Sequence, residues 1–506
     1  MSGHLFVIHG DLRKLACDGI AIPCDDRFNI TDVWSDFLPG NLPRVPGTGW
    51  LRLPHPSTGT AVALPDSDGR RVTAVATVHD DMTITSMVQR MLDGVTELAG
   101  GLEARGGRDR PLLGVPMIGT GAGGLHHQRG EVIDVYLPAL ATAARDHGFD
   151  IALVVQDRRD VAAVQARRTD EQWAALPEHL EAEADRLGTM AAKGQLSLFI
   201  GAGVSKPVGL PDWQTLLRIL AERAQLPTDW PDDADPLDVA TSIAEKLEIE
   251  AELGKILGTP RHGIGHALLA GLRPREMVTT NFDPCMEHAL ESVLGEEGFR
   301  VMTRRLADGA LPWLLKLHGD IARPGSVVLT RAHYDAHAEE YKALAGVVQS
   351  LMLTSHLLFV GFSMTDRDFL DMAAAVARVR ADAEPDGASS RPTAGTVLPL
   401  IRKTDQEFQL EGDLTFLPMA ETGSVAEAAR TLEVFLDRLS WTAARTHSLS
   451  AEYLLDERYL SGLSPADRAL RDALIEFERT ISPAARSSVG WDKIRETLEA
   501  LGAKSR

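Results

Sequence analysis

Short apolar runs closed by small or polar residues recur along this chain. Between them lie stretches whose apolar residues fall three and four apart. The sharpest instance is Leu196–Trp213. Leu198, Phe199 and Ile200 form the compact apolar run of a buried strand, and Gly201-Ala202-Gly203-Val204-Ser205 then turns the chain. Beyond Gly209-Leu210-Pro211, the spacing of Trp213, Leu216, Leu217 and Leu220 predicts a helix. Strand, small-residue turn and helix is an arrangement that binds nucleotide phosphates. Glycines let backbone N–H groups approach, and a helix N-terminus adds partial positive charge. The same pattern also describes a plain strand-to-helix corner.

Residues 1 to about 165 alternate in the same way. Leu5–Ile8, Gly19–Pro23, Val72–Val78, Leu112–Ile118 and Ile151–Val155 read as strands, and Thr85–Leu98 and Val132–Arg145 as helices. Such alternation predicts a mainly parallel sheet with helices on its faces. The run Gly119-Thr120-Gly121-Ala122-Gly123-Gly124 follows a strand, where ligands bind in such folds. Arg167–Lys193 reads as a charged helical bridge, Pro227–Pro236 as an acidic loop and Ala381–Pro392 as a polar loop. Tyr453–Leu460, Arg468–Arg479 and Trp491–Leu501 read as helices. The predicted division is 1–165, 166–440 and a helical extension over 441–506.

Three segments behind the glycine turn carry polar groups out of apolar runs. Met277–Asp283 ends in Thr-Thr-Asn-Phe-Asp, Leu314–Asp320 delivers His318, and His356–Ser363 closes on Gly361 and Ser363. Each places its polar residues at a strand's carboxyl end, so all can line one crevice. Singly, each has a plain structural explanation, such as a helix cap or a turn.

Composition narrows the classes of function. A net charge of −20 over 506 residues argues against general nucleic-acid binding or attraction to anionic membranes. Cys17, Cys24 and Cys285 are too few for a disulfide framework or a four-thiolate zinc site, so no metal is expected and a reducing cytoplasm is. No apolar run approaches the roughly 20 residues of a membrane span, and the first residues lack a secretory pattern.

His9-Gly10-Asp11-Leu12, Cys17-Asp18-Gly19-Ile20 and Pro116-Met117-Ile118-Gly119-Thr120-Gly121 resemble macro domains, which bind ADP-ribose and its relatives. The resemblance implies that Asp11 contacts adenine, and that Gly119, Thr120, Gly121, Ala122 and Gly123 wrap a phosphate. The asparagine-rich stretch expected next reads Ile22-Pro23-Cys24-Asp25 instead, which favours a sensor over a hydrolase. The ordered set GAGVS…GLPDW, TTNFD, KLHGD and GFS, over roughly Leu196–Leu439, resembles the sirtuin family. That resemblance implies a Rossmann-like, doubly wound, NAD-binding fold. Gly201, Ala202, Gly203 and Ser205 would cradle the pyrophosphate, and Gly361 and Ser363 would face the adenosine half. Asn281 and Asp283 would hold the nicotinamide side, and His318 would act on the ribose hydroxyls. The chain lacks the four-cysteine zinc module of protein-deacylating sirtuins. Its Thr-Thr-Asn-Phe-Asp form is similar to sirtuin-like NAD hydrolases of bacterial antiphage defence.

The expectation is therefore an α/β protein in which a macro-like domain precedes a sirtuin-type catalytic domain with Asn281 and His318 as catalytic residues. It would hydrolyse NAD to nicotinamide and ADP-ribose, be controlled by an ADP-ribose-derived nucleotide or by assembly, and form a homo-oligomer. The rival readings are a deacylase or ADP-ribosyltransferase, and a non-catalytic nucleotide sensor.

Overall fold

The computed structural model describes residues 2–56, 59–67, 70–121, 123–231, 234–383, 393–402, 413–446 and 450–503. The chain folds as two compact units: residues 1–104, 110–177 and 440–506 form one, and 105–109 with 178–439 the other. Among the described residues, no helix is long and apolar enough to cross a membrane.

The first unit is built on a six-stranded sheet. Its strands are β1 (Leu5–His9), β2 (Gly19–Asp25), β5 (Ala61–Ser67), β6 (Arg70–Val78), β7 (Leu112–Pro116) and β8 (Asp150–Val155), with a small separate pair, β3 (Asn29–Ile30) and β4 (Leu51–Arg52). The order is β1-β8-β7-β2-β6-β5, parallel throughout except for the antiparallel edge strand β5. Strands covered on both faces need apolar residues at successive positions, which is why β1, β7 and β8 read as unbroken apolar runs. Helices α1 (Ile84–Ala99) and α2 (Arg129–His147) place Met87, Met91, Val95, Ile133, Tyr136 and Leu140 in its core. Tyr453, Tyr459 and Leu463, from the C-terminal stretch, complete that core.

The predicted bridge Arg167–Lys193 is not one helix. Helix α3 (Arg158–Arg167) ends, a short turn Asp170–Trp173 follows, and α4 (Glu178–Ala192) starts after Pro177. Proline has no N–H to continue a helix and disfavours helical backbone at the residue before it. Tyr453–Leu460 is turns around the short 3-10 element Glu457–Tyr459, because the Asp456 carboxylate takes the Arg458 N–H and guanidinium and tightens the chain locally. The helices Pro465–Thr480 and Val489–Ala500 form as the spacing predicts. Of the predicted loops, residues 232–233 and 384–392 lie outside the described residues.

The second unit holds an all-parallel seven-stranded sheet in the order β11-β12-β10-β9-β13-β14-β15. Its centre is β9 (Leu196–Ile200), flanked by β10 (Glu276–Thr279) and β13 (His356–Val360). Beyond β10 lie β12 (Trp313–Lys316) and β11 (Arg300–Val301), and beyond β13 lie β14 (Gly395–Leu398) and β15 (Leu414–Phe416). The chain thus winds outward from β9 first one way and then the other. The strand order reverses between β9 and β13, the position where open parallel sheets leave a crevice outside their carboxyl ends. Phe199, Phe359, Phe362 and Phe369 pack ring to ring beneath that edge, with centroids 4.7 to 6.4 Å apart.

Candidate functional site

The loops leaving β9 and β13 cross backbone to backbone. The N–H of Gly201 donates to the Val360 carbonyl and that of Gly203 to the Gly361 carbonyl, each at 2.9 Å. A Cβ at Gly201 would stand 2.5 Å from the Gly361 oxygen, and one at Gly361 2.6 Å from the Val204 nitrogen. Gly361 also sits at φ +65, a conformation that favours glycine. The glycines singled out for phosphate approach therefore make the close contact between the two loops. Ala202 is half-buried and Gly203 exposed on the same turn. Ser363 is exposed and shares a hydrogen bond with Thr365 at 2.7 Å, next to Met364 in the left-handed region at φ +57.

Ser205 is fully buried beneath this turn. Its hydroxyl donates to Asp283 Oδ2 at 2.9 Å and accepts from Asn281 Nδ2 at 3.3 Å. His266 Nε2 lies 3.3 Å from the same oxygen. His266 belongs to the helix Ile264–Gly271, and its Nδ1 accepts the N–H of Gly263 at the start of that helix. Burial holds the imidazole down to about 4 against the pull of Asp283, so the ring is neutral at physiological pH. Asp283 Oδ1 takes the Cys285 N–H at 3.0 Å, and burial together with Asp283 pushes the Cys285 thiol up. His266, Asp283 and Cys285 hold their donor atoms within 4.8 Å of one another, the one grouping among the described residues able to converge on a metal ion. Their hydrogen bonds account for the cluster as it stands.

Asn281 follows β10 directly. Thr279 Oγ1 donates to the Ile200 carbonyl at 2.9 Å and accepts the Asn281 N–H at 3.0 Å, so the turn is tied to the end of β9. The side chain is 7% exposed, and its Oδ1 is buried without a hydrogen-bond partner. A buried amide oxygen without a partner costs about 1–3 kcal/mol and marks a place where a ligand or water belongs.

His318 follows β12, the neighbour of β10, with Thr279 in register with Lys316. Its Nε2 lies 3.5 Å from Asp366 Oδ2. Tyr341 stacks on the ring at 6.3 Å, and Tyr334 meets it edge-on at 6.5 Å. Beneath it, Lys316 is wholly buried. Its ammonium reaches the carbonyls of Phe282 (3.0 Å) and Asp283 (2.7 Å), Glu287 Oε1 (2.7 Å) and Asp320 Oδ1 (3.3 Å). Burial works against its charge, but Glu287 and Asp320 outweigh it and raise the Lys316 pKa. Arg304 closes the network on Asp320 at 2.6 Å.

In the first unit, Asp11 follows β1, and residues 119–121 and 123–124 follow β7, so both groups stand at the carboxyl edge of the sheet. Both carboxylate oxygens of Asp11 accept from the Arg13 guanidinium, at 2.6 to 3.0 Å. Gly119, at φ +73, and Gly123 fold against each other, and a Cβ on Gly123 would lie 2.8 Å from the Gly119 Cα. Thr120 is buried and its carbonyl accepts from Arg129 at 3.2 Å, whereas Gly121 is exposed. Ala122 lies outside the described residues.

Sequence reading brought out Asn281, Asp283 and His318, but missed His266, Lys316, Asp366, Tyr334 and Tyr341. A signal existed for two of them. Lys316 interrupts an otherwise apolar strand, and buried lysines are paired. His266 is a lone imidazole among Ile264, Ala267 and Leu268. Nothing local distinguishes the tyrosines or Asp366, which reach His318 only through the fold.

Residues 275–398 match the family described as SIR2-like domain. Similar proteins include the NAD(+) hydrolase ThsA of Acinetobacter baumannii (strain 532279), 26% identical over 196 residues covering 36% of this chain and 39% of that protein. The NAD(+) hydrolase ThsA of Bacillus cereus (strain MSX-D12) is 28% identical over 203 residues, covering 38% and 41%. That of Enterococcus faecium is 27% identical over 195 residues, covering 36% and 40%. The chain thus spans about two fifths of the length of the curated relatives it matches. The segment that carries Asn281, His318 and Gly361 between strands of a doubly wound parallel sheet is therefore the part of the chain that is similar to a SIR2-like domain.

Proposed function

We propose that this protein hydrolyses NAD, releasing nicotinamide and ADP-ribose, as an effector of antiphage defence. The observation that carries the reading is the pairing of Asn281, with its unpartnered buried Oδ1, and His318 at the ends of neighbouring strands. The similar proteins named NAD(+) hydrolase support the same chemistry.

The reaction asks little of the protein. Nicotinamide leaves ribose C1′ with the electron pair of the broken C–N bond, water adds to C1′, and the water's second proton is lost. The protein must orient the ribose, place water and stabilise the developing oxocarbenium charge. Asn281 Oδ1 accepts a hydrogen bond from water or a ribose hydroxyl, and His318 takes a proton with an imidazole whose ordinary pKa lies near neutrality. Ala202 and Gly203 border the pyrophosphate, Gly361 and Ser363 border the adenosine half, and Ser205 and Asp283 hold Asn281 from below.

We extend the reading to the first unit as a macro-like sensor of an ADP-ribose-type nucleotide. Asp11 and the glycines 119, 121 and 123 at one sheet edge support it, with Arg13 releasing Asp11 when ligand binds. Control by that ligand and by assembly of several copies belongs to the same proposal. The test is incubation of the purified chain with NAD, with and without candidate nucleotides and after EDTA dialysis, following nicotinamide, ADP-ribose and labelled protein. Free ADP-ribose supports hydrolysis. Labelled protein instead shows transfer, and no turnover under any condition overturns the reading.

A further inference from the structure

We propose that His266 is a positioning residue that fixes which end of the Asn281 amide faces the crevice. The inference rests on the reading of Asn281 as catalytic, and the hydrogen-bond arithmetic carries it. Gly263 N–H donates to His266 Nδ1, so the proton of the neutral ring is on Nε2 and points at the Ser205 hydroxyl, 3.3 Å away. A serine hydroxyl has one proton and two lone pairs. The Asp283 carboxylate can only accept, so it takes that proton. The Cys285 thiol, a weak donor, also borders Ser205, and the two strong contacts left to Oγ must come from donors. One is His266 Nε2–H, and the other has to be the amide NH2 of Asn281. With its nitrogen held down, Asn281 turns Oδ1 toward the crevice, where it has no partner of its own.

Without the imidazole proton the arrangement loses its polarity. A water admitted in its place can donate to Asp283, which frees the Ser205 proton to turn toward Asn281; the amide then rotates, takes that proton on Oδ1 and presents its NH2 to the crevice. A donor in that place repels the hydrogen that a ribose hydroxyl or water brings. His266 touches neither reacting atom, and its effect passes through Ser205.

The experiment compares His266→Gln, which keeps an N–H donor near the Nε2 position, with His266→Phe, which fills the space without one. Steady-state NAD cleavage is followed together with melting temperature. Expected is a fall in kcat of about 10²-fold for His266→Phe, the scale of a misplaced catalytic group, with KM for NAD changed only several-fold. His266→Gln should recover most of kcat at a similarly lowered melting temperature. Equal losses in both variants would mean a packing role, and an unchanged kcat in His266→Phe overturns the proposal outright. Nitrogen-15 spectra of the full chain give a readout independent of turnover. The His266 ring should hold the neutral Nε2–H form between pH 6 and 8, with its N–H resonance moving in Ser205→Ala. An Nδ1–H ring refutes the proposal even where NAD cleavage is normal. An Nε2–H ring in a chain that never cleaves NAD instead faults the reading of the site.

Discussion

Lys316 Nζ lies 2.7 Å from the backbone carbonyl of Asp283. One buried ammonium therefore fastens the turn that presents Asn281 to the strand that ends at His318. The two side chains belong to one rigid piece although 37 residues separate them.

Replacing Lys316 should accordingly cost stability before it costs chemistry. Lys316→Met takes the ammonium from Glu287, Asp320 and the Asp283 carbonyl and leaves Arg304 as the cation for both carboxylates, and breaking a buried ion pair on one side typically destabilises by about 3–5 kcal/mol. Urea unfolding should show a loss of that order, and Lys316→Met with Glu287→Gln should recover part of it. A midpoint equal to the parent's would remove the network from the account of the site.

Asn281→Ala and His318→Ala should each lower NAD cleavage by about 10² to 10⁴, with circular dichroism and melting temperature close to the parent's. Residual turnover at the parent rate in both would mean the crevice is not the active site.

Gly361→Ala tests the crossing of the loops. The added methyl would meet the Val204 nitrogen at 2.6 Å, from a backbone at φ +65. The loops must part, so both melting temperature and NAD cleavage should fall. Gly209→Ala also has positive φ but nothing within 4 Å of its Cβ. It should pay only the backbone strain of about 1–2 kcal/mol and keep the greater part of its activity.

Acid should unfold the second unit over a defined window. The His266 imidazole, pushed down to about 4 by burial, stays neutral where the unfolded chain, with an ordinary value near 6.5, already binds a proton. Stability is therefore full above pH 6.5 and falls as pH drops toward 4, by roughly 3 kcal/mol from this group. His356, also held to about 4 by burial and by Arg186, adds to the same slope. Asp320, kept below the carboxylate range by Lys316 and Arg304 despite burial, contributes only at still lower pH. Urea midpoints measured from pH 7 to 4 should fall steeply, and His266→Gln should flatten the decline by about one proton.

The inner strands of both sheets were legible because strands buried on both faces leave apolar runs, whereas β5, β11, β14 and β15, at or next to the sheet edges, were not. The motif residues at strand ends were legible for the same reason, since a run that stops at Asn281 or His318 advertises an edge. What the residues do there was less so. Gly201 and Gly203 read as room for a phosphate and Gly361 as a border of the adenosine half, and what their pattern does not disclose is that all three bring one loop against the other. Ser205 reads as part of the pyrophosphate cradle, yet its hydroxyl is buried among partners from two other segments. Its role depends on His266, 61 residues away, and no local pattern connects the two. The break at Pro177 was visible in the sequence, but the spacing of Leu176, Leu180 and Leu187 masked it.

The central strand β9 pairs with β10 on one side and β13 on the other, so Phe199 finds its neighbours at Val278 and Phe359. During synthesis, the glycine turn emerges long before either partner. Gly201 and Gly203 have no carbonyls to meet until Val360 and Gly361 have left the ribosome, and such long-range parallel pairing is slow to form. The crevice therefore has no half-built version: a chain cut between residues 318 and 361 carries Asn281 and His318 without the place where they act. For the NAD hydrolysis proposed above, late completion is a safeguard written into the order of the strands.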